Sequence, residues 1–384
     1  MKRIYLDHAS AVPVDPRILK FAEKYLHEFF GNPSSLHSVG GEAKQIIDEA
    51  RKKVAGLINA EDENSIIFTS GATESNNLAI KGTAFKHIVR GKEVATSTIE
   101  HMSVLNPMKE LQKSGFKLSV IPVDSEGIVD TKKLKESLTQ NTTVTSIMYA
   151  NNEIGTIEPI REISQIVHEK GLFLHTDATA AAGRIPIDVQ KDGIDLLTLS
   201  SNDLYGPQGV GALYIKPKVK LQPILPGGGQ ERGLRSGTEN LFAIAGMGEA
   251  ARVAKDEMEQ ESTRLQKIRD KLIEEILKIE ESYLTGHPTY RLPHHASFRF
   301  SRIEGESILL NLDMGYNIQV STGSACSSKT LEPSNVLLAI GLKHEEAHGS
   351  MVLTLGRSNK AEEVPIIAKA VRETVEKLRR LSPL

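Results

Sequence analysis

One cysteine stands in this 384-residue chain, Cys326, within Ser321-Thr-Gly-Ser-Ala-Cys-Ser-Ser328. Small, polar, glycine-containing sequence is loop composition, where a thiol is reachable and can act, as its thiolate, as nucleophile or metal ligand. The plainer alternative is a buried thiol packed as a small hydrophobe. A single cysteine excludes an intramolecular disulfide and an all-cysteine metal site within one chain. A second candidate is Ser70-Gly-Ala-Thr-Glu-Ser75. If it joins a strand to a helix, the free N–H groups of the first turn and the Thr73 hydroxyl suit a phosphate, although Gly and Thr also serve as plain caps. A third is His344-Glu-Glu-Ala-His348, which fits the zinc-hydrolase pattern H-E-x-x-H. Two histidines at i, i+4 share a helix face, but the run is short and polar and no third ligand is evident.

The elements that must position these groups follow from hydrophobic periodicity. Asp15 and Pro16 read as the cap and first residue of an amphipathic helix over 16–29, and a second helix spans about 41–58. Short apolar runs at 65–69, 93–98, 116–121, 143–149, 172–176, 195–199 and 211–215 read as strands. Helical patterns at 74–90, 102–114, 131–138 and 159–170 alternate with them. This alternation predicts an α/β fold with a mostly parallel sheet covered on both faces. Ligands then sit beyond the carboxyl ends of the strands, where Thr69, His101, Asn152, Asp177 and Ser200 fall.

Past Gly227-Gly-Gly229 the pattern changes to a long helix over about 240–280, strands near 295–301, 316–320 and 350–355, and a closing helix over 361–380. The expected organisation is a large α/β cofactor-type domain, 21–240, and a smaller α+β domain from 1–20 and 241–384 that carries the Cys326 loop. His294-His295 reads as a solvated loop. With 39% hydrophobic and 25% charged residues the composition is that of an ordinary globular protein, and a net charge of −2 gives no pull toward nucleic acid or anionic membrane. No apolar run approaches the ~18 residues of a membrane span. Met1-Lys-Arg-Ile-Tyr-Leu-Asp7 lacks a secretory h-region, so a cytoplasmic location is expected.

The stretch Leu197-Thr-Leu-Ser-Ser-Asn-Asp-Leu-Tyr-Gly-Pro-Gln-Gly-Val-Gly211 resembles the cofactor turn of the NifS/IscS-type cysteine desulfurases. These are fold-type-I, class V aminotransferase-like enzymes of pyridoxal phosphate (PLP). Phe68-Thr-Ser-Gly-Ala-Thr-Glu-Ser-Asn-Asn-Leu-Ala79, Ser97-Thr-Ile-Glu-His-Met-Ser-Val104, Ala150-Asn-Asn-Glu-Ile-Gly-Thr156 and Gly227-Gly-Gly-Gln-Glu-Arg-Gly-Leu-Arg-Ser-Gly-Thr-Glu-Asn240 extend the resemblance over essentially the whole chain. It implies that Ala72 and Thr73 hold the PLP phosphate, that Ser200 and Asn202 also bind the cofactor, that His101 stacks on the ring as a catalytic residue, and that Asp177 keeps the pyridine nitrogen protonated. Asn152 would reach the ring hydroxyl and the substrate. Thr238 would reach the phosphate of a neighbouring subunit, which implies a homodimer. Cys326 would take sulfur from L-cysteine as a persulfide and pass it to an iron–sulfur scaffold protein of the IscU type.

Departures cluster on the chemistry. The family's His-Lys pair is here Asn202 and Asp203, so the lysine that anchors the cofactor as a Schiff base is a carboxylate. Ala180 stands where a glutamine contacts the ring hydroxyl, and Val352 where an arginine clamps the substrate carboxylate. A carboxylate forms no imine, and an unperturbed aspartate, with a pKa of ~3.9, is a poor base. The expectation is a desulfurase-family protein with impaired PLP chemistry, in which Cys326 serves as persulfide carrier or as ligand of an iron–sulfur cluster shared with the scaffold. The alternatives are a working desulfurase with non-covalently held PLP, and, remotely, a zinc hydrolase through His344 and His348.

Overall fold

The computed structural model describes residues 2–322 and 333–381. Strand β1 (Ile4–Tyr5) opens the chain, and α1 (Pro16–Ala22) follows with the Asp15 side chain accepting from the Arg17 amide. Helical hydrogen bonding then tightens to a 3₁₀ turn, Glu23–Leu26, where a continuous helix to 29 was expected. Apolar spacing fixes which side chains face inward but not how each turn closes. Here Phe21, Tyr25 and Phe29 pack edge on, with Lys24 over all three rings. Helix α2 (Ser38–Leu57) comes next.

Strand–helix alternation then runs as the sequence predicts. The elements are β2 (Ile66–Thr69), α3 (Ala72–Lys86), β3 (Glu93–Ser97), α4 (Met102–Lys113), β4 (Lys117–Ile121), α5 (Thr131–Ser137), β5 (Thr142–Ser146), α6 (Ile160–Glu169), β6 (Leu174–Asp177), β7 (Leu196–Ser200) and β8 (Gly211–Ile215). The seven strands form one sheet in the order β2-β8-β7-β6-β5-β3-β4. Only β8 runs against its neighbours, so Thr69, Ser97, Ser146, Asp177 and Ser200 all end at one edge of the sheet. Close approach there is steric: a Cβ on Gly211 would lie 2.6 Å from the Gly71 backbone, the turn that opens α3.

Helix α7 (Leu241–Ile276) is 36 residues long and is capped by the Asn240 side chain, which accepts from the Ala243 amide. Its first turns, through Ala254, belong to the apolar core under the large sheet. Leu265 to Ile276 belong to a second core. That second core is built on β9 (Ser282–Leu284), β10 (His295–Phe300), α8 (Gly305–Tyr316), β11 (Ile318–Gln319), β12 (Ser350–Thr354) and α11 (Val364–Leu381), whereas α9 (Asn335–Ala339) and α10 (His344–His348) pack in a separate cluster with Ile99, Met148 and Ile154. Strands β12, β10 and β9 make an antiparallel sheet, and β1 pairs in parallel with β11. Ile4 and Leu6 pack in the second core, whereas Val12 and Ile18 pack in the first. Among the described residues, no helix is long and apolar enough to cross a membrane.

Candidate functional site

A cavity of about 440 Å³ opens at the carboxyl edge of the large sheet. Ala72, Thr73, His101, Asn152, Asp177, Ala180, Ser200, Asn202 and Asp203 line it, drawn from five separate stretches of the chain. A larger surface cleft of about 1130 Å³, between α7 and Lys360–Glu362, contains none of them.

Gly71 (φ +151°) turns the chain from β2 into α3. The amides of Ala72, Thr73 and Glu74 have no acceptor one turn back, because Ser75 is the first to bond, to the Gly71 carbonyl. The Glu74 carboxylate takes the Ser70 amide at 2.8 Å and the Arg235 guanidinium at 3.0 Å. Burial pushes Glu74 up, but these donors outweigh it and hold the group below the usual carboxylate range.

Asp177, the last residue of β6, is fixed from two sides. Its Oδ1 accepts from the Thr179 amide at 3.0 Å, and its Oδ2 accepts from the Asn76 side-chain amide at 2.7 Å. Asn76 also donates to Ser103 Oγ at 2.8 Å, and Ser103 Oγ lies 2.7 Å from His101 Nδ1. His101 caps α4, accepting from the Ser103 amide. One hydrogen-bonded chain thus joins the strand-end carboxylate to the imidazole. Sequence reasoning missed Asn76 and Ser103. The signal was a helix with polar Ser75, Asn76 and Thr83 on buried positions.

Beneath the cavity Glu100 accepts from Ser97 Oγ at 2.6 Å and from the Met148 amide at 2.9 Å. Burial, helped by Asp177, drives its pKa up to about 8. The histidines go the other way. Burial lowers His8 and His175 to about 4 and His295 to about 3, and puts His294 well below its ordinary value. His294 and His295 are therefore not a solvated loop. They are buried against the cavity, with His295 Nε2 2.9 Å from the Asn152 carbonyl.

Asp203 lies in a 3₁₀ turn, Asn202–Leu204, closed by Tyr205 in the left-handed region (φ 62°). Enclosure by protein raises its pKa to about 6, against a hydrogen bond from Ser200 and the field of Arg184. The base is therefore far better tuned than a free aspartate. Among the described residues no lysine lines the cavity. Ala180 leaves room at its wall. Val352 is buried in β12, where its backbone exchanges hydrogen bonds of 2.8 and 3.1 Å with Ser321. Thr238 is exposed and outside this cavity, and Cys326 lies outside the described residues. His344 and His348 sit on a five-residue helix, and among the described residues no group of three or more metal-capable side chains exists. The zinc-hydrolase alternative finds no support.

The residues present fit PLP in part. The free first-turn amides suit its phosphate, His101 its ring face and Asp177 its ring nitrogen, but among the described residues nothing supplies the anchoring amine. Comparison with known proteins agrees with this architecture. The family described as aminotransferase class-V matches residues 4–367. The cysteine desulfurase IscS 1 of Archaeoglobus fulgidus is 55% identical over 380 residues, covering 99% of both chains. The cysteine desulfurase IscS of Methanosarcina thermophila is 48% identical, covering 100% of this chain and 94% of its own. A solved NifS-like protein superposes with a TM-score of 0.91 at 36% identity, covering 98% of this chain and 100% of that one. A NifS-like protein from Rickettsia africae gives 0.88 at 31% identity, with the same coverage of both chains. With the matched length and these identities, the chain belongs to the class V aminotransferase family, among its IscS/NifS cysteine desulfurases.

Proposed function

We propose that this protein serves iron–sulfur cluster assembly in the cytoplasm, with Cys326 carrying a persulfide or ligating a cluster presented to a scaffold protein, and with impaired PLP chemistry. The observation that carries the reading is Asp203 at the anchor position of a cavity that no lysine lines among the described residues. The names of the relatives support the sulfur chemistry. A homodimer is the assembly proposed, with Thr238 serving the neighbouring site. When bound, PLP supplies an electron sink at the substrate's α-carbon. Residues of this chain would do the rest: the amides of Ala72 and Thr73 bind phosphate, Asn76 orients Asp177, and Ser103 orients His101.

A second reading is favoured by one observation, the intact Asp177–Asn76–Ser103–His101 chain beside an aspartate whose pKa is raised to about 6. In this reading the protein is a slow desulfurase with unanchored PLP, converting L-cysteine to L-alanine and an enzyme persulfide. Sulfide release from L-cysteine with added PLP, compared among the native chain, Asp203→Lys and Cys326→Ala, separates the two. Sulfide from the native chain that is lost in Cys326→Ala selects the second. No sulfide, with recovery in Asp203→Lys, selects the first. Scaffold-dependent cluster assembly unchanged by Cys326→Ala would sink both.

A further inference from the structure

Arg184 is 6% exposed and lines the cavity four residues beyond Ala180. Its ring contact is with Tyr205, at 5.0 Å from guanidinium carbon to centroid. Among the described residues no carboxylate or carbonyl lies at hydrogen-bond distance from its guanidinium. The other arginine on the same ring differs in this respect: Arg357, 4.5 Å from the Tyr205 centroid, is ion-paired to both Asp15 and Glu257. Arg269, also buried, is bonded to Asp270 and to the Arg291 and Leu292 carbonyls. Among these residues Arg184 has neither an anion nor a set of carbonyl acceptors, and its nitrogens are not fully enclosed, so the guanidinium is open to an anion.

The surroundings say which anion fits. The guanidinium's field acts on His8, His294 and Asp203, which line the cavity with it. Burial keeps both histidines neutral, and the lining carboxylates Glu74 and Asp177 are already held by Arg235 and Ser70 and by Asn76 and Thr179, so among the described residues the charges of this cavity left without a partner of opposite sign are Arg184 and Asp203. Arg184 and Asp203 do not form an ion pair with each other. Two opposite charges facing one small cavity without neutralising each other match a ligand that carries both signs. The wall is open there because residue 180 is alanine, four positions before Arg184 on the same turn. The strand position from which the family's arginine would reach is occupied by Val352, an apolar residue buried in β12.

We propose that Arg184 binds the carboxylate of a free α-amino acid whose ammonium group faces Asp203, so that the cavity holds the zwitterion without a covalent link. The planar fork of the guanidinium is suited to a carboxylate through two parallel N–H···O bonds. The assignment deepens the proposed function by naming how its cavity holds a ligand, and rests on that reading in taking an amino acid as the ligand.

Calorimetric titration of the full chain with L-alanine, propionate, ethylamine and inorganic phosphate tests it. L-alanine is used because it has no thiol to react. The native chain should bind L-alanine and, more weakly, propionate. Arg184→Gln should weaken both roughly ten- to hundredfold, the loss of a charge-assisted pair, and Arg184→Lys should recover part. Asp203→Asn should weaken L-alanine and spare propionate. Equal L-alanine affinity in native and Arg184→Gln protein of unchanged Tm would overturn the assignment. So would ethylamine binding as well as L-alanine, a comparison that needs no variant and decides the matter if Arg184→Gln does not fold. Phosphate binding more tightly than L-alanine with the same dependence on Arg184 would show that the cation takes a phosphate instead. None of these readouts involves Cys326, so failure here is distinct from failure of the sulfur-handling role.

Discussion

Asn76 donates its side-chain amide to Oδ2 of Asp177 across 2.7 Å, tying the buried face of α3 to the end of β6. The same nitrogen reaches Ser103, so one amide holds both walls of the ring site. Asn76→Ala should cost about 2–4 kcal/mol, because Asp177 and Ser103 each lose a buried partner. Urea unfolding measures this. PLP affinity should fall more steeply than in Asn77→Ala, whose side chain bonds only the Thr73 carbonyl one turn back.

Cofactor anchoring should be absent at residue 203 and recoverable there. After incubation with PLP and borohydride, the native peptide spanning Asp203 should carry no added mass. The same peptide from Asp203→Lys should be labelled close to stoichiometrically. Label on the 203 lysine at the level of surface lysines would mean that the cavity no longer orients PLP.

Stability should fall as pH rises from 6.5 to 8.5. Glu100 and Glu158 have folded pKa values raised to about 8, and Glu153 to about 7, in each case chiefly by burial. A raised carboxyl stabilises the fold fully below its unfolded pKa and ceases to do so as pH climbs through the folded value. Each of Glu100 and Glu158 should therefore withdraw ~2 kcal/mol over this window. The buried histidines act oppositely and lower down, since their lowered pKa values cost stability only as pH falls below their ordinary range. Thermal melts at the two pH values measure the slope, and Glu100→Gln should flatten it by that residue's share.

Glu231 is the buried half of a two-bond pair with Arg51, at 2.8 and 2.9 Å, and also accepts from the Phe68 amide. Glu231→Ala should destabilise the protein by about 3–5 kcal/mol, because a half-enclosed guanidinium and a strand amide lose their acceptor together. Glu231→Gln should recover part of the loss. A shift in guanidinium midpoint no larger than that of an exposed control such as Glu259→Ala would contradict this.

Most strands of the large sheet were legible because burial on both faces leaves a short run bounded by small or polar residues, whereas the edge strand β4, only partly buried, shows as Leu118, Val120 and Ile121 among polar residues. The strand–glycine–helix turn at Thr69–Thr73 was legible for a local reason too, since its three parts follow one another in sequence. Arg184 was not. Nothing around it in sequence marks it, and its meaning arises from the absence of carboxylates contributed by distant segments. The same holds for His294 and His295, read as solvated because histidine pairs near a turn usually are. Their burial comes from packing against Asn152 and Gly155, 140 residues away or thereabouts in the chain. The 3₁₀ turn at Glu23–Leu26 escaped notice because apolar spacing is nearly the same for both helix types over a single turn.

The cavity takes His8 and His294 from one side of the molecule and Ser200, Asn202 and Asp203 from the other. Both sides are threaded by α7, whose 36 residues make a rod of ~54 Å seated at one end in the first core and at the other in the second. A rod so embedded acts as a spacer. It sets the separation of the two walls mechanically, before any ligand arrives, and resists their hinging together. Softening its middle, between Lys255 and Thr263, would therefore widen the spread of cavity sizes without altering a single lining residue.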